Sequence, residues 1–133
     1  MKKFITLTLT LLVTFLSLGA VEVAGYRNNT GGRENPLVLQ VDRVDYRGDL
    51  TRVYARLVGR PHTSQRIDGV SLKAAGKLYT ATDIDGVDFK RWFQWEEDGV
   101  IPIEIDFPAM KPTKAFVVTT KTPRGDGRTT VSK

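Results

Sequence analysis

The sequence predicts an all-β sandwich, and three observations point to that fold class. Short apolar runs separated by turn residues recur through residues 36–120. In the clearest run every second residue is a large hydrophobe, namely Ile101, Ile103, Ile105 and Phe107. This period of two indicates a strand with one buried face, and no long stretch shows the 3.6-residue period of a helix. About seven such strands with turns between them are typical of two packed antiparallel sheets.

Length and composition limit the protein to one globular domain, which we place at residues 36–120. Of the 133 residues, 41% are hydrophobic and 26% are charged, as in an ordinary folded domain. The absence of cysteine excludes disulfides, thiolate zinc sites and thiol nucleophiles. The net charge of +5 is modest, and nucleic-acid binding usually shows as a concentrated basic face, so we expect no nucleic-acid partner.

The N-terminus has the pattern of a secretory signal peptide. Lys2 and Lys3 precede an apolar run over residues 4–18, and the small residues Gly19 and Ala20 follow as cleavage positions. The run is short for a membrane span, which needs roughly 20 residues. We therefore predict a signal peptide at residues 1–20, a secreted or periplasmic protein, and no stable membrane anchor after processing.

Seven runs account for the predicted strands. The first two form a hairpin over residues 37–46 and 51–57, and the others are residues 66–72, 77–82, 89–95, 100–107 and 114–120. In the first run the apolar phase shifts between Val41 and Val44, as a β-bulge would cause. Pro102 cannot donate to a sheet ladder, which predicts a sheet edge or a bulge there. Residues 21–35 are interpreted as a flexible lead-in and residues 121–133 as a disordered tail.

Charged residues alternate with the apolar ones along the hairpin. Arg52, Tyr54 and Arg56 share the outward face of its second strand, and Asp42 and Asp45 lie on the first strand. Cross-strand ion pairs are the expected result.

A set of strand-end and turn motifs carries a resemblance to a known family. The motifs are Thr51-x-Val53-Tyr54, Arg60-Pro61-His62, Arg66-Ile67, Leu72, Gly76-Lys77-x-Tyr79 and Phe107-Pro108. In this order they resemble small immunoglobulin-like sandwich domains exported by Bacteroidetes, which occur alone or N-terminal to thioredoxin-like domains. The resemblance implies an immunoglobulin-like β-sandwich of about seven strands in an exported protein. Because the chain has no Cys-x-x-Cys, no redox activity carries over.

The inventory of reactive side chains argues against catalysis. His62 is the single histidine, and its place after Pro61 indicates a loop residue. Ser64 is two residues away, but no motif places an acid behind the pair. A glycosidase would need two carboxylates across a substrate cleft, which a small sandwich rarely offers. We expect no catalytic residue and no cofactor, and we keep a small hydrolase as the weakest alternative.

One acidic stretch has two interpretations. Asp83, Asp85 and Asp88 supply three carboxylates within six residues, the oxygen ligands that calcium prefers, although the stretch fails the EF-hand pattern. Asp and Gly also favour turns, because they form local hydrogen bonds and tolerate positive φ. The turn is the preferred interpretation, and a calcium site is the alternative.

The aromatic stretch before residue 96 supplies the candidate binding site. In a strand Phe93 and Trp95 share one face, which we assign to the core, and Trp92 takes the other face. Trp92 with Lys90 and Arg91 is therefore the candidate contact group. These features predict a non-catalytic binding or accessory module for an envelope or extracellular protein or glycan. The alternative is a structural protein that assembles through its sheet edges.

Overall fold

The computed structural model describes residues 26–31 and 37–133, and all regular structure in them is β-strand. The predicted signal peptide, residues 21–25 and 32–35 of the lead-in, and residue 36 lie outside the described residues. The strands are β1 (Arg27–Gly31), β2 (Val38–Tyr46), β3 (Leu50–Val58), β4 (Ser64–Arg66), β5 (Gly69–Ala74), β6 (Lys77–Thr80), β7 (Asp83–Asp85), β8 (Trp92–Gln94), β9 (Val100–Pro108), β10 (Ala115–Thr122) and β11 (Gly125–Ser132). The predicted all-β class is confirmed. The described residues contain eleven strands in place of about seven, because β4 and β7 form in connections and β1 and β11 form in the segments predicted to lack structure.

The strands form three antiparallel sheets. The largest has the order β1-β11-β10-β5-β6, the second has the order β2-β3-β9-β7, and β4 pairs with β8 in a two-stranded sheet. The chain crosses repeatedly between the two large sheets. In the described part of the chain, no helix is long and apolar enough to cross a membrane.

The two large sheets share one hydrophobic core, in a sandwich-like arrangement. Its fully buried members from both sheets include Leu39, Val53, Ile105, Leu72, Val118 and Val131. Polar bonds join the sheets at one side: the Asn28 side chain of β1 pairs with the backbone of Val41 on β2, accepting from its N–H at 2.7 Å and donating to its carbonyl at 3.0 Å. The side-chain amide of Asn28 in one sheet thereby satisfies the backbone N–H and carbonyl of Val41 in the other sheet.

Strand alternation accounts for the centre of the second sheet. Ile103, Ile105 and Phe107 of β9 are buried, as their spacing predicts. The predicted bulge is also present, since the register between β2 and β3 shifts between Val41 and Arg43. Pro102 lies beyond the segment of β9 that pairs with β7, so the ladder on that side requires no N–H from it.

The predicted cross-strand ion pairs form with one change of partner. Arg56 donates to both carboxylate oxygens of Asp42 at 2.8 Å. Arg52, however, donates to Asp106 on β9, at 2.7 and 3.0 Å, because β3 lies between β2 and β9. The Arg52 guanidinium holds the pKa of Asp106 below its ordinary value.

Two segments predicted to lack structure contain strands. Residues 121–133 complete β10 and form β11, and part of the lead-in forms β1, which pairs with β11. The prediction of a disordered tail is therefore wrong. The inward positions of β11 are Gly127, Thr129 and Val131, all buried. Because only one of these is a large hydrophobe, the strand has little apolar signal.

Candidate binding surface

Trp92 lies at the start of β8 on the solvent side. The side chain of Trp92 is 55% exposed, whereas Trp95 is completely buried. Phe93 is half-buried and packs edge to face on Trp95, with ring centroids 5.3 Å apart. The structure thus confirms the assignment of Phe93 and Trp95 to the core side and of Trp92 to the surface.

Hydrogen bonds around Trp95 hold β8 in place. The backbone N–H of Trp95 donates to the backbone carbonyl of Thr63 at 3.0 Å. The backbone N–H of His62 donates to the backbone carbonyl of Trp95 at 2.8 Å. His62 is exposed and has a φ of 65°, in a turn. The prediction that His62 is a loop residue is confirmed. Its contact with Trp95 is made by its backbone N–H.

Two arginines lie against the Trp92 ring. The Arg66 guanidinium carbon is 5.6 Å from the ring centroid, because Arg66 pairs with Trp92 across β4 and β8. The Arg124 guanidinium carbon, from the turn between β10 and β11, is 5.9 Å from the same centroid. Cation–π contacts of this kind at exposed sites contribute roughly 0.5–1 kcal/mol each.

Each guanidinium has a second anchor. Arg66 donates to the two carboxylate oxygens of Asp68 at 2.7 and 3.1 Å. Arg124 donates to the backbone carbonyl of Ser64 at 3.3 Å. Both side chains are therefore held beside Trp92 rather than spread in solvent.

Lys90 and Arg91 add positive charge next to this group. The Lys90 N–H donates to the Ile67 carbonyl at 2.8 Å, with Lys90 at a φ of 63°. Hydrogen bonds from Arg66 hold the pKa of Asp68 below its ordinary value, and the nearby charge of Lys90 lowers it further. Arg91 is exposed beside Trp92.

The balance of charge in this group is positive. We call it the Trp92 surface, defined by Arg66, Asp68, Lys90, Arg91, Trp92 and Arg124. Asp68 forms a salt bridge with Arg66, and the charge of Lys90 also acts on its carboxylate. Among the described residues, Lys90, Arg91 and Arg124 form no salt bridge. Asp126, two residues after Arg124 and at the start of β11, is exposed and likewise makes no salt bridge within the described chain.

Sequence reasoning identified three members of the surface and missed the others. Arg66 was assigned only to a strand, and Arg124 fell in the predicted tail. One signal was available for Asp68: it stands two residues after Arg66, the spacing at which side chains share a strand face. Nothing local indicates Arg124, which reaches Ser64 across 60 residues of sequence.

The predicted calcium ligands are not brought together. Asp83 and Asp85 flank the buried Ile84 on β7 and face Asp106 and Glu104 of β9, while Asp88 lies in the following turn. Within residues 26–31 and 37–133, no group of three His, Cys, Asp or Glu side chains is placed to hold a metal ion. The structure therefore does not assemble the three aspartates into a site, because Asp83 and Asp85 lie along β7 and Asp88 lies after it.

A shallow groove of about 400 Å³ lies on the outer face of the second sheet. Its lining includes Asp42, Asp85 and Glu104, with Asp42 bound to Arg56. Asp85 and Glu104 project from neighbouring strands of one sheet face.

Comparison with protein-family models, with curated proteins and with solved structures finds no match for this chain. The Trp92 surface is therefore characterised by its own geometry: an exposed indole, two anchored guanidiniums and two further cations.

Proposed function

We propose that this protein is a non-catalytic, exported binding module whose contact site is the Trp92 surface. The proposed partner is an envelope or extracellular protein or glycan. Export is supported by the basic and apolar pattern of residues 1–20. The finer fold that we propose, an immunoglobulin-like sandwich, is supported by the antiparallel pairing and by the repeated crossing between the two large sheets.

The exposure of Trp92 is the observation that carries this proposal. Because the Trp92 side chain is 55% exposed, its burial contributes little to the stability of the fold. Trp and Arg are the residues that most often dominate binding free energy at interfaces. Here two anchored Arg side chains lie within cation–π distance of one Trp ring.

The test compares recovery of partners from the cell envelope by tagged variants. Trp92→Ala should abolish recovery and lower the free energy of unfolding by at most about 1–2 kcal/mol, the contribution of its two cation–π contacts, because its side chain is outside the core. Trp95→Ala is the contrasting variant, and it should lower the free energy of unfolding by roughly 3–5 kcal/mol. Leu78→Ala, which truncates another exposed hydrophobe on β6, is the matched control and should keep recovery intact. Unchanged recovery by Trp92→Ala contradicts the proposal.

A second candidate function is assembly through sheet edges. It is favoured by Leu78, which is 64% exposed on β6, a strand at the edge of the five-stranded sheet. An exposed apolar edge strand is a template for pairing with another chain. Sedimentation of Leu78→Lys decides this: a wild-type oligomer that dissociates in the variant supports assembly, and a monomeric wild type excludes it.

A further inference from the structure

We infer that the ligand of the Trp92 surface is an acidic polysaccharide, a chain that carries carboxylate or sulfate groups. This inference rests on the proposed function and names the chemistry of the ligand. Three properties of the surface carry it: uncompensated positive charge, ordered guanidiniums, and an isolated aromatic ring.

The uncompensated positive charge of the surface indicates that the ligand is negatively charged. On the outer face of the second sheet, Arg52 and Arg56 each bind an aspartate through two hydrogen bonds. At the Trp92 surface Lys90, Arg91 and Arg124 form no such salt bridge among the described residues. Anionic groups of a ligand would supply the missing charge.

Ordered guanidiniums set the chemistry of the contact. Arg124 is held by the Trp92 ring and the Ser64 carbonyl, and Arg66 by the same ring and Asp68. A planar guanidinium matches the oxygens of a carboxylate or sulfate and forms strong charge-assisted hydrogen bonds. Since these side chains are already ordered, a ligand avoids much of the entropic cost of fixing them.

The isolation of Trp92 favours a polar chain over a protein partner. The other exposed large hydrophobes of the described residues are Val38 on β2 and Leu78 on β6, and neither is on β4, β8 or the β10–β11 turn. A stable protein interface buries about 800 Å² on each partner around an apolar core. Single-stranded nucleic acid uses several aromatic rings in succession. One ring among cations fits a narrow, hydrophilic, negatively charged chain.

The experiment measures binding of the protein, as its host produces it, to defined polymers by isothermal titration. The probes are polygalacturonate as the carboxylated chain, dextran sulfate as the sulfated chain and neutral dextran. We expect binding to one or both acidic chains and none to neutral dextran. Raising the salt from about 0.1 M to about 1 M shortens the screening length from roughly 10 Å to roughly 3 Å and should abolish binding.

Charge-removing variants locate the site. Lys90→Gln and Arg124→Gln should each weaken binding roughly tenfold, as expected for the loss of one charge-assisted contact. Lys77→Gln is the matched control, because Lys77 also lies over an aromatic ring, Tyr79, at 5.6 Å but at the opposite end of β5 from Asp68. It should bind like the wild type.

Several results overturn the inference. These are no binding to either acidic chain, equal weakening by Lys77→Gln and Arg124→Gln, or tighter binding to single-stranded DNA or polyglutamate than to either polysaccharide. Should Trp92→Ala still abolish recovery of an envelope partner while no polysaccharide binds, the proposed function stands and this inference fails. Should Trp92→Ala leave that recovery unchanged, the proposed function itself fails.

Discussion

The indole Nε1–H of Trp95 donates a hydrogen bond of 3.1 Å to the backbone carbonyl of Leu57. Trp95 directly follows β8 and Leu57 lies on β3, so the bond joins the two-stranded sheet to the four-stranded sheet. Both residues are completely buried, and a buried indole N–H without a partner would be costly. The core thereby fixes the position of β8 and of Trp92 at its start.

Close packing on the Trp95 ring predicts the effect of a small substitution at Gly59. A Cβ at this position would lie 2.5 Å from two atoms of the Trp95 ring, which is completely buried and held by its hydrogen bond to Leu57. Gly59→Ala should therefore lower the free energy of unfolding by about 1–3 kcal/mol, as overpacking does. Urea denaturation measures the change.

The control for this prediction is Gly48→Ala in the β2–β3 turn. A Cβ there meets no heavy atom within 4 Å. Its free energy of unfolding should stay within about 0.5 kcal/mol of the wild type. Equal stability of the two variants would show that Gly59 is not packed on Trp95.

Burial in β11 predicts that the C-terminal segment is essential to the fold. Val131 is completely buried and the adjacent Thr130 is exposed. Val131→Asp should cost about 3 kcal/mol or more, because it buries an unpaired charge. Thr130→Asp adds the same charge on the solvent side and should cost less than roughly 1 kcal/mol. If both variants are as stable as the wild type in urea denaturation, β11 is not paired in the folded protein.

Tyr26 predicts a loss of stability in alkali. Burial, followed by the charge and hydrogen bond of Tyr46, raises the pKa of Tyr26 from 10.0 to about 12. Because the folded state then holds the phenolic proton more tightly than the unfolded state, this contribution is complete below pH 10 and is lost between pH 10 and about pH 12.

The measurement is urea denaturation across that interval for the wild type and for Tyr26→Phe. The variant keeps the ring that packs on Phe116 but has no proton to lose. Its free energy of unfolding should fall less steeply above pH 10. A decline as steep as that of the wild type would assign the effect to other groups.

Strand period and residue type were enough to predict a large part of the second sheet and one side of the candidate surface. Alternation predicted the buried face of β9 and the opposite orientations of Trp92 and Trp95, because successive side chains in a strand point to opposite faces. The same rule failed for β11. Its inward positions are mostly Thr and Gly, which bury well inside a five-stranded sheet but are equally common in turns.

The sequence by itself determined the all-β class, the phase of the clearest strands and the exposed position of Trp92, since each depends on the geometry of neighbouring residues in the chain. The tertiary structure alone decided that residues 125–132 pair with β10 and β1. It also decided that Arg52 binds Asp106, that Asp83, Asp85 and Asp88 stay apart, and that Arg66 and Arg124 meet at Trp92. These relationships follow from which strands pair, and pairing depends on the packing of the whole core rather than on any local pattern.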